Sequence, residues 1–176
     1  MDKQLIISFL ELSIAIVIGL IALYITHFVI VKIYKSKYPT ESASPYKNTA
    51  FLIFVSGMMF SVAFLLSGII HPLSSTLDIL TKSYPDTLDL ILSFSKYLGL
   101  FTSIGLMLGG TINFLAYFLF STLTTEVNEL EEIKNGNVGI AIFLSVMAIT
   151  IAVFCKEPFL VVLESFIPYP ELPRLF

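Results

Sequence analysis

The sequence predicts an all-α polytopic membrane protein: four transmembrane helices forming two parallel two-helix repeats, with short interfacial helices on the outer side. Three observations carry that expectation. The 176-residue chain is 56% hydrophobic and only 13% charged, about half the charged fraction of a soluble domain, and its mean hydropathy is +0.91. Four apolar stretches are close to or above the roughly 20 residues that carry a helix across a hydrocarbon core at about 1.5 Å per residue. The second half of the chain also echoes the first. Too little polar surface is available to cover the apolar atoms in water, so lipid is the expected solvent.

The first stretch, Leu12–Val31, is interrupted only by His27. Lys3 precedes it as in a signal peptide. Its apolar part is too long for one, however, and Tyr24–Phe28 (YITHF) offers no small-residue cleavage site, so a retained span over residues 5–34 is expected. Thr49–Ile70 carries no charge and marks a span over 49–71. After it, Pro72–Tyr84 (PLSSTLDILTKSY) sets Leu73, Leu77 and Leu80 on one helical face and reads as an interfacial helix. Tyr97–Leu123, within a span over 90–123, is dotted with glycine and has Asn113 as its most polar member. Val138–Cys155 is the shortest stretch, in a span over 138–156. The apolar Pro158–Phe166 (PFLVVLESF) reads as a second interfacial helix before a Pro-rich tail. None of the four stretches has the polar stripe of a helix half-exposed to water.

Lysines set the orientation. Lys32, Lys35, Lys37 and Lys47 lie in the first loop, which is therefore expected in the cytoplasm. The third loop, on the same side, has Lys134 against Glu126, Glu129, Glu131 and Glu132, and acidic residues weigh little in this rule. Loops 32–48 and 121–137 are thus cytoplasmic, with both termini outside. Lys3, Lys82, Lys156 and Arg174 on the outer side reduce the contrast.

The echo is anchored on Asn48 and Asn137, 89 residues apart (137 − 48), each ending a charged segment and opening an apolar one. At that offset Ile53 meets Ile142, Phe54 meets Phe143, Ser56 meets Ser145, Met58 meets Met147 and Ala63 meets Ala152. Ile18-Gly19-Leu20 meets Ile104-Gly105-Leu106 at an offset of 86 (104 − 18), as His71-Pro72 meets Glu157-Pro158. The repeats are then 1–88 and 89–176. Each holds an even number of spans, so both insert the same way up, about an axis along the membrane normal.

Two segments, KNTAFLIFVSGMMFSVAFLLSGII (Lys47–Ile70) and EEIKNGNVGIAIFLSVMAITIAVF (Glu131–Phe154), resemble the two halves of the YjfL-like bacterial inner-membrane proteins (domain of unknown function 350). The resemblance runs roughly from Glu11 to Phe154 and is sharpest at Asn48-Thr49-Ala50 and Asn137-Val138-Gly139. It implies a duplicated two-span unit, with an Asn and small residues opening each even-numbered span, in a bacterial inner membrane. It implies no activity, because that family's function is unknown. The chain departs from the pattern at Lys156–Phe176 and in a longer outer loop near Ser74–Asp89.

The candidate functional residues are few. Asn48 and Asn137 suit helix N-caps, or an anion site near Lys47 and Lys134 that holds a lipid phosphate or nucleotide-like ligand. Glu11 aligns with Tyr97 at the 86-residue offset, one position from Lys96. Glu11 and Lys96 are therefore a candidate intramembrane pair, the alternative being that each snorkels to headgroups. His27 suits an interfacial anchor, or a proton or cation stop, and Asn113 a bond between helices. Gly105 and Gly109 form a GxxxG face. Gly19 with Ala15, Gly57 with Ser61, and the pairs Ala141/Ser145 and Ala148/Ala152 form small-xxx-small faces for helix packing. Phe114, Phe118 and Phe120 are expected to face lipid or the bundle seam.

Other chemistry is disfavoured. A net charge of −3 gives nucleic acid no basic surface, and the single Cys155 with distant His27 and His71 gives neither a disulfide nor a zinc spacing. There is no nucleophile elbow, Walker loop or HExxH, and the acidic run Glu126–Glu132 reads as a solvated face, so neither an enzyme nor a cofactor is expected. The leading expectation is a non-catalytic subunit in envelope maintenance, partnered by lipid and by its own copies or another membrane protein. A small oligomeric channel or carrier for ions or small cations, with Glu11, Lys96, His27 and Asn113 near its path, is the second. A lipid- or anion-binding module at the two Asn-marked entrances is the third.

Overall fold

The computed structural model describes residues 3–39, 44–124 and 128–169; Glu126, Arg174 and the other residues of the tail from 170 on lie outside them. The described residues are all-helical, with α1 (Lys3–Lys37), α2 (Thr49–Leu66), α3 (Ile70–Ser83), α4 (Thr87–Leu123), α5 (Glu129–Lys134) and α6 (Val138–Glu164). Four stretches are long and apolar enough to cross a membrane: Glu11–Lys37, Thr49–Ser83, Thr87–Leu123 and Val138–Glu164. Side chains fix most of the starts. Asn48, Asp86, Asn128 and Asn137 accept from Phe51, Leu88, Glu131 and Ile140 backbone N–H groups, each meeting a donor that the first turn leaves without an intrahelical partner.

Both segments expected as separate interfacial helices differ from that reading. Residues 72–84 are the body of α3, which continues from α2 through a 3-10 turn at Ser67–Ile69. Leu73 and Leu80 are buried and Leu77 is half-buried, so their face is turned onto the protein, α4 above all, instead of lying bare. Pro72 falls in the first turn of α3, where a missing N–H costs little. Pro158 lies inside α6, and the segment that follows it is simply the last part of that helix. An interior proline removes one backbone bond. Phe159 and Leu163, one turn apart and both buried, hold the helix in line past it.

α2 is the centre of the bundle. Over half of its span is buried (56%), against 22–28% for the other three. It shares its most extensive contact with α6, and α4 lies against both, while α1 packs chiefly on α2. α2 and α6 run parallel: Ser145 donates to the Ile53 carbonyl near one end of the seam (3.2 Å), and Lys156 to Ser67 near the other (3.1 Å). α1 is antiparallel to α2, with Tyr34 against Phe51 at one end and Glu11 bonded to Ser74 at the other. α4 is antiparallel to α6, with Phe120 against Phe143 and Gly105 near Phe159.

Glycines set the distances within this core. A Cβ built on Gly57 would overlap the Ser145 side chain and come 2.9 Å from its Cα, so the two backbones touch. A Cβ on Gly109 would meet Val62 at 3.0 Å, and one on Gly105 would overlap the end of Leu66. Gly57, Gly105 and Gly109 therefore sit at close contacts between helices. Gly19 does not: nothing lies within 4 Å of its Cβ position. α1 meets the bundle instead through buried Ile18 and Ala22, one turn apart on a different face. The phenylalanine cluster splits as well, Phe114 and Phe118 exposed and Phe120 buried.

Gly57→Ala should force α2 and α6 apart, because the obstacle is partly backbone. A loss of about 1–3 kcal/mol is expected, read as an earlier midpoint when SDS is titrated into mixed micelles. Gly99→Ala, where nothing lies within 4 Å, should lose nothing. Equal midpoints for the two variants would contradict this packing.

Candidate functional site

Half of the polar side chains singled out by sequence, His27, Asn48 and Asn137, lie toward the end of the bundle where α1 turns into α2 and α4 connects to α6. The α1–α2 turn is tied back by Tyr46, whose hydroxyl lies 3.2 Å from His27 Nε2 with the two rings stacked. His27 is thus part of a ring-stacked latch at the helix end.

Asn48 does more than cap. Its Oδ1 accepts from Phe51 N–H (3.1 Å), while its Nδ2 donates to the carbonyls of Ile133 and Lys134, both at 2.8 Å. Those carbonyls end α5, where helical acceptors run out of partners. One amide therefore satisfies the start of α2 and the end of α5. Asn137 is less connected: its Oδ1 accepts from Ile140 N–H (3.3 Å) and its Nδ2 donates to Glu132 (2.8 Å). Both N–H groups of the Asn48 amide are thus engaged inside the protein, and the Asn137 amide faces a carboxylate.

α5 itself was not legible as a helix in the acidic run. Asn128 caps it and donor groups after it close its far end: Asn137 N–H reaches the Glu132 carbonyl (2.9 Å) and Gly136 N–H the Ile133 carbonyl (3.0 Å). Gly136 sits at φ 86°, the left-handed conformation this ending needs. Glu129 and Ile133, one turn apart, are then turned inward and buried.

The expectation that Glu126–Glu132 is wholly solvated is therefore corrected at Glu129, which is 2% exposed. The Tyr117 hydroxyl of α4 lies against its carboxylate, and its Oε1 has no hydrogen-bond partner. Around this carboxylate, Lys37 donates to Asn128 (3.2 Å) and Lys134 stands over the Tyr38 ring (4.7 Å).

Deeper in the bundle, Asn113 bonds between helices as expected. Ser61 donates to its Oδ1 (2.7 Å), and its Nδ2 donates to the Met58 carbonyl (3.3 Å). At the opposite end Glu11 and Lys96 are not brought together. Glu11 accepts from Ser74 of α3, and Lys96 is exposed beside Ser83, Tyr84 and Ser93. The physical reason is α3, a helix that supplies Glu11 with a neutral partner.

The two asparagines should separate experimentally. Asn137→Ala removes a cap, worth about 1 kcal/mol. Asn48→Ala removes a cap and also takes the side-chain donor from the Lys134 carbonyl, while Ile133 keeps its bond from Gly136 N–H, for a loss of about 2–3 kcal/mol. SDS titration of the two variants checks this; equal losses would mean that the bridge to α5 contributes nothing.

Comparison with known proteins adds a family. The model described as Domain of Unknown Function (DUF350) matches residues 4–157, from the start of α1 into the last part of α6. No curated protein and no solved structure matches the chain. With most of its length covered, and with four stretches long and apolar enough to span a membrane, the chain belongs to the DUF350 family.

Proposed function

We propose that the protein is a non-catalytic subunit of a bacterial inner membrane, acting by association within the bilayer, as a homo-oligomer or with another membrane protein, in envelope maintenance. The observation that carries this reading is the outer face of α1. Phe9, Leu12, Ile16, Leu20, Tyr24 and Phe28 follow one another at helical spacing, each more than half exposed. Asn113, Ser61 and Ser145 inside the spans, by contrast, are engaged by the fold. A helix apolar along one open face and dry on the other suits lateral association better than conduction. A channel or carrier would need its path between copies.

The parallel course of α2 and α6 supports the reading of the chain as two same-way-up repeats. The nearby bonds between the α1–α2 turn and α5 support putting loops 32–48 and 121–137 on one side, the cytoplasm by the lysine rule.

In a Cys155→Ser background, Leu20→Cys should give disulfide-linked dimers in membranes, and purified protein should exceed monomer mass in mild detergent. Liposomes containing it should hold ion gradients. Liposomes that lose their gradients would overturn the reading in favour of the channel, and a monomer in mild detergent would remove association as its basis. For orientation, single cysteines at Lys37 and Lys134 should both react with an impermeant maleimide only from the cytoplasmic face. Labelling from opposite faces would remove the parallel-repeat topology.

A further inference from the structure

α1 and α4 both lean on α2 but part from each other, leaving a groove of about 400 Å³. Val29 and Ile33 of α1 face Gly110 and Phe114 of α4 across it, Met58 of α2 floors it, and Leu130 of α5 closes one end. Its walls run from Ile25 to Tyr34 on α1 and from Leu106 to Tyr117 on α4. At about 1.5 Å per residue that is roughly 15 Å, half of a hydrocarbon core of roughly 30 Å. The groove thus has the length and polarity of one lipid chain in one leaflet.

Its closed end is not apolar. Tyr117 lines the groove and also stands against Glu129. Glu129 is the only buried charged side chain among the described residues, and its Oε1 lacks a partner. The Tyr117 hydroxyl serves one side of the carboxylate, and a buried carboxylate oxygen left without a donor is costly; a cation with N–H groups is what it lacks. Lys37 and Lys134 stand at the same end, with Nζ groups on Asn128 and over the Tyr38 ring.

We propose that this groove binds one phospholipid from the adjacent leaflet, an acyl chain lying between α1 and α4 and a primary-ammonium headgroup reaching Glu129. Rotation of the Tyr117 side chain joins groove and carboxylate, after which the ammonium donates to Glu129 Oε1. The lysines meet the phosphate of the same headgroup. A purely anionic headgroup leaves the carboxylate unpaired, and a quaternary ammonium has no N–H to give.

The test is native mass spectrometry of the full chain from nanodiscs holding equal amounts of phosphatidylethanolamine, phosphatidylglycerol and phosphatidylcholine with identical chains. The wild type should retain the ethanolamine lipid about tenfold over either other lipid. Gly110→Leu fills the groove from a position with nothing within 4 Å, and Gly99→Leu is its control with the same open surroundings. The first should lose lipid and the second keep it. Glu129→Gln should keep lipid but bring the three headgroups to parity. A wild type indifferent to headgroup, or equal retention in the two glycine variants, overturns the proposal. The glycine pair and the lipid comparison decide it even if Glu129→Gln does not fold.

Discussion

The approach of α2 to α6 at Gly57 and Ser145 is the contact on which the rest of the bundle depends. In lipid, apolar side chains gain nothing by leaving the solvent, so helices are held by close packing and by hydrogen bonds across them. This seam uses both. Gly57 lets the backbones touch, and Ser145, already bonded to Ala141 of its own helix (2.8 Å), adds a bond to Ile53 of the other. Two parallel helices so joined bring their starts to the same level. Only then can Asn48, at the head of α2, reach the carbonyls that close α5 just before α6 begins. α4 is laid antiparallel across the pair, and its Gly105 and Gly109 allow it to settle against Leu66 and Val62. Each later contact presupposes the earlier one.

The spans were readable because burial in lipid demands an uninterrupted apolar composition, a signal that does not depend on neighbours. Their outer ends were not. Leu73, Leu77 and Leu80 form an apolar face whether that face meets the membrane surface or a helix, and only the packing on α4 distinguishes the two. The same holds after Pro158, where the burial of Phe159 and Leu163 carries α6 through a residue that on local grounds ends a helix. Small residues at Gly57, Gly105 and Gly109 lie where helices approach closely, but sequence cannot say which face of α1 turns inward. Ile18 and Ala22 do, and Gly19 is left open.

Glu129 marks the limit of that reading most clearly. Among acidic neighbours it looks solvated, because charge density is visible in a sequence and burial is not. The signals for a short helix were nevertheless present: Asn128 three positions before Glu131, and Gly136 just past the last turn. With α5 recognised, Glu129 and Ile133 fall on one face, and an inward Ile draws the Glu with it. What no local pattern supplies is the surroundings, since Tyr117 and Lys37 come from α4 and α1.

If the two hairpins share a plan, they do not share their surroundings, and the difference opens the groove. If α1 and α4 derive from one ancestral helix, α1 should touch α6 as α4 touches α2. At the 86-residue offset Gly105 corresponds to Gly19, and Gly109 to Leu23. One glycine of the close-approach pair is thus a leucine in α1, and the other faces nothing. A helix with a four-carbon side chain where its counterpart has none cannot settle as deeply. α1 therefore keeps its hold chiefly on α2 and stands away from α4 along the stretch between Ile25 and Tyr34. A fully symmetric bundle would have closed that gap with its own side chains. In a membrane an open apolar gap of this length does not stay empty, and its occupant is set by whatever charge waits at its end.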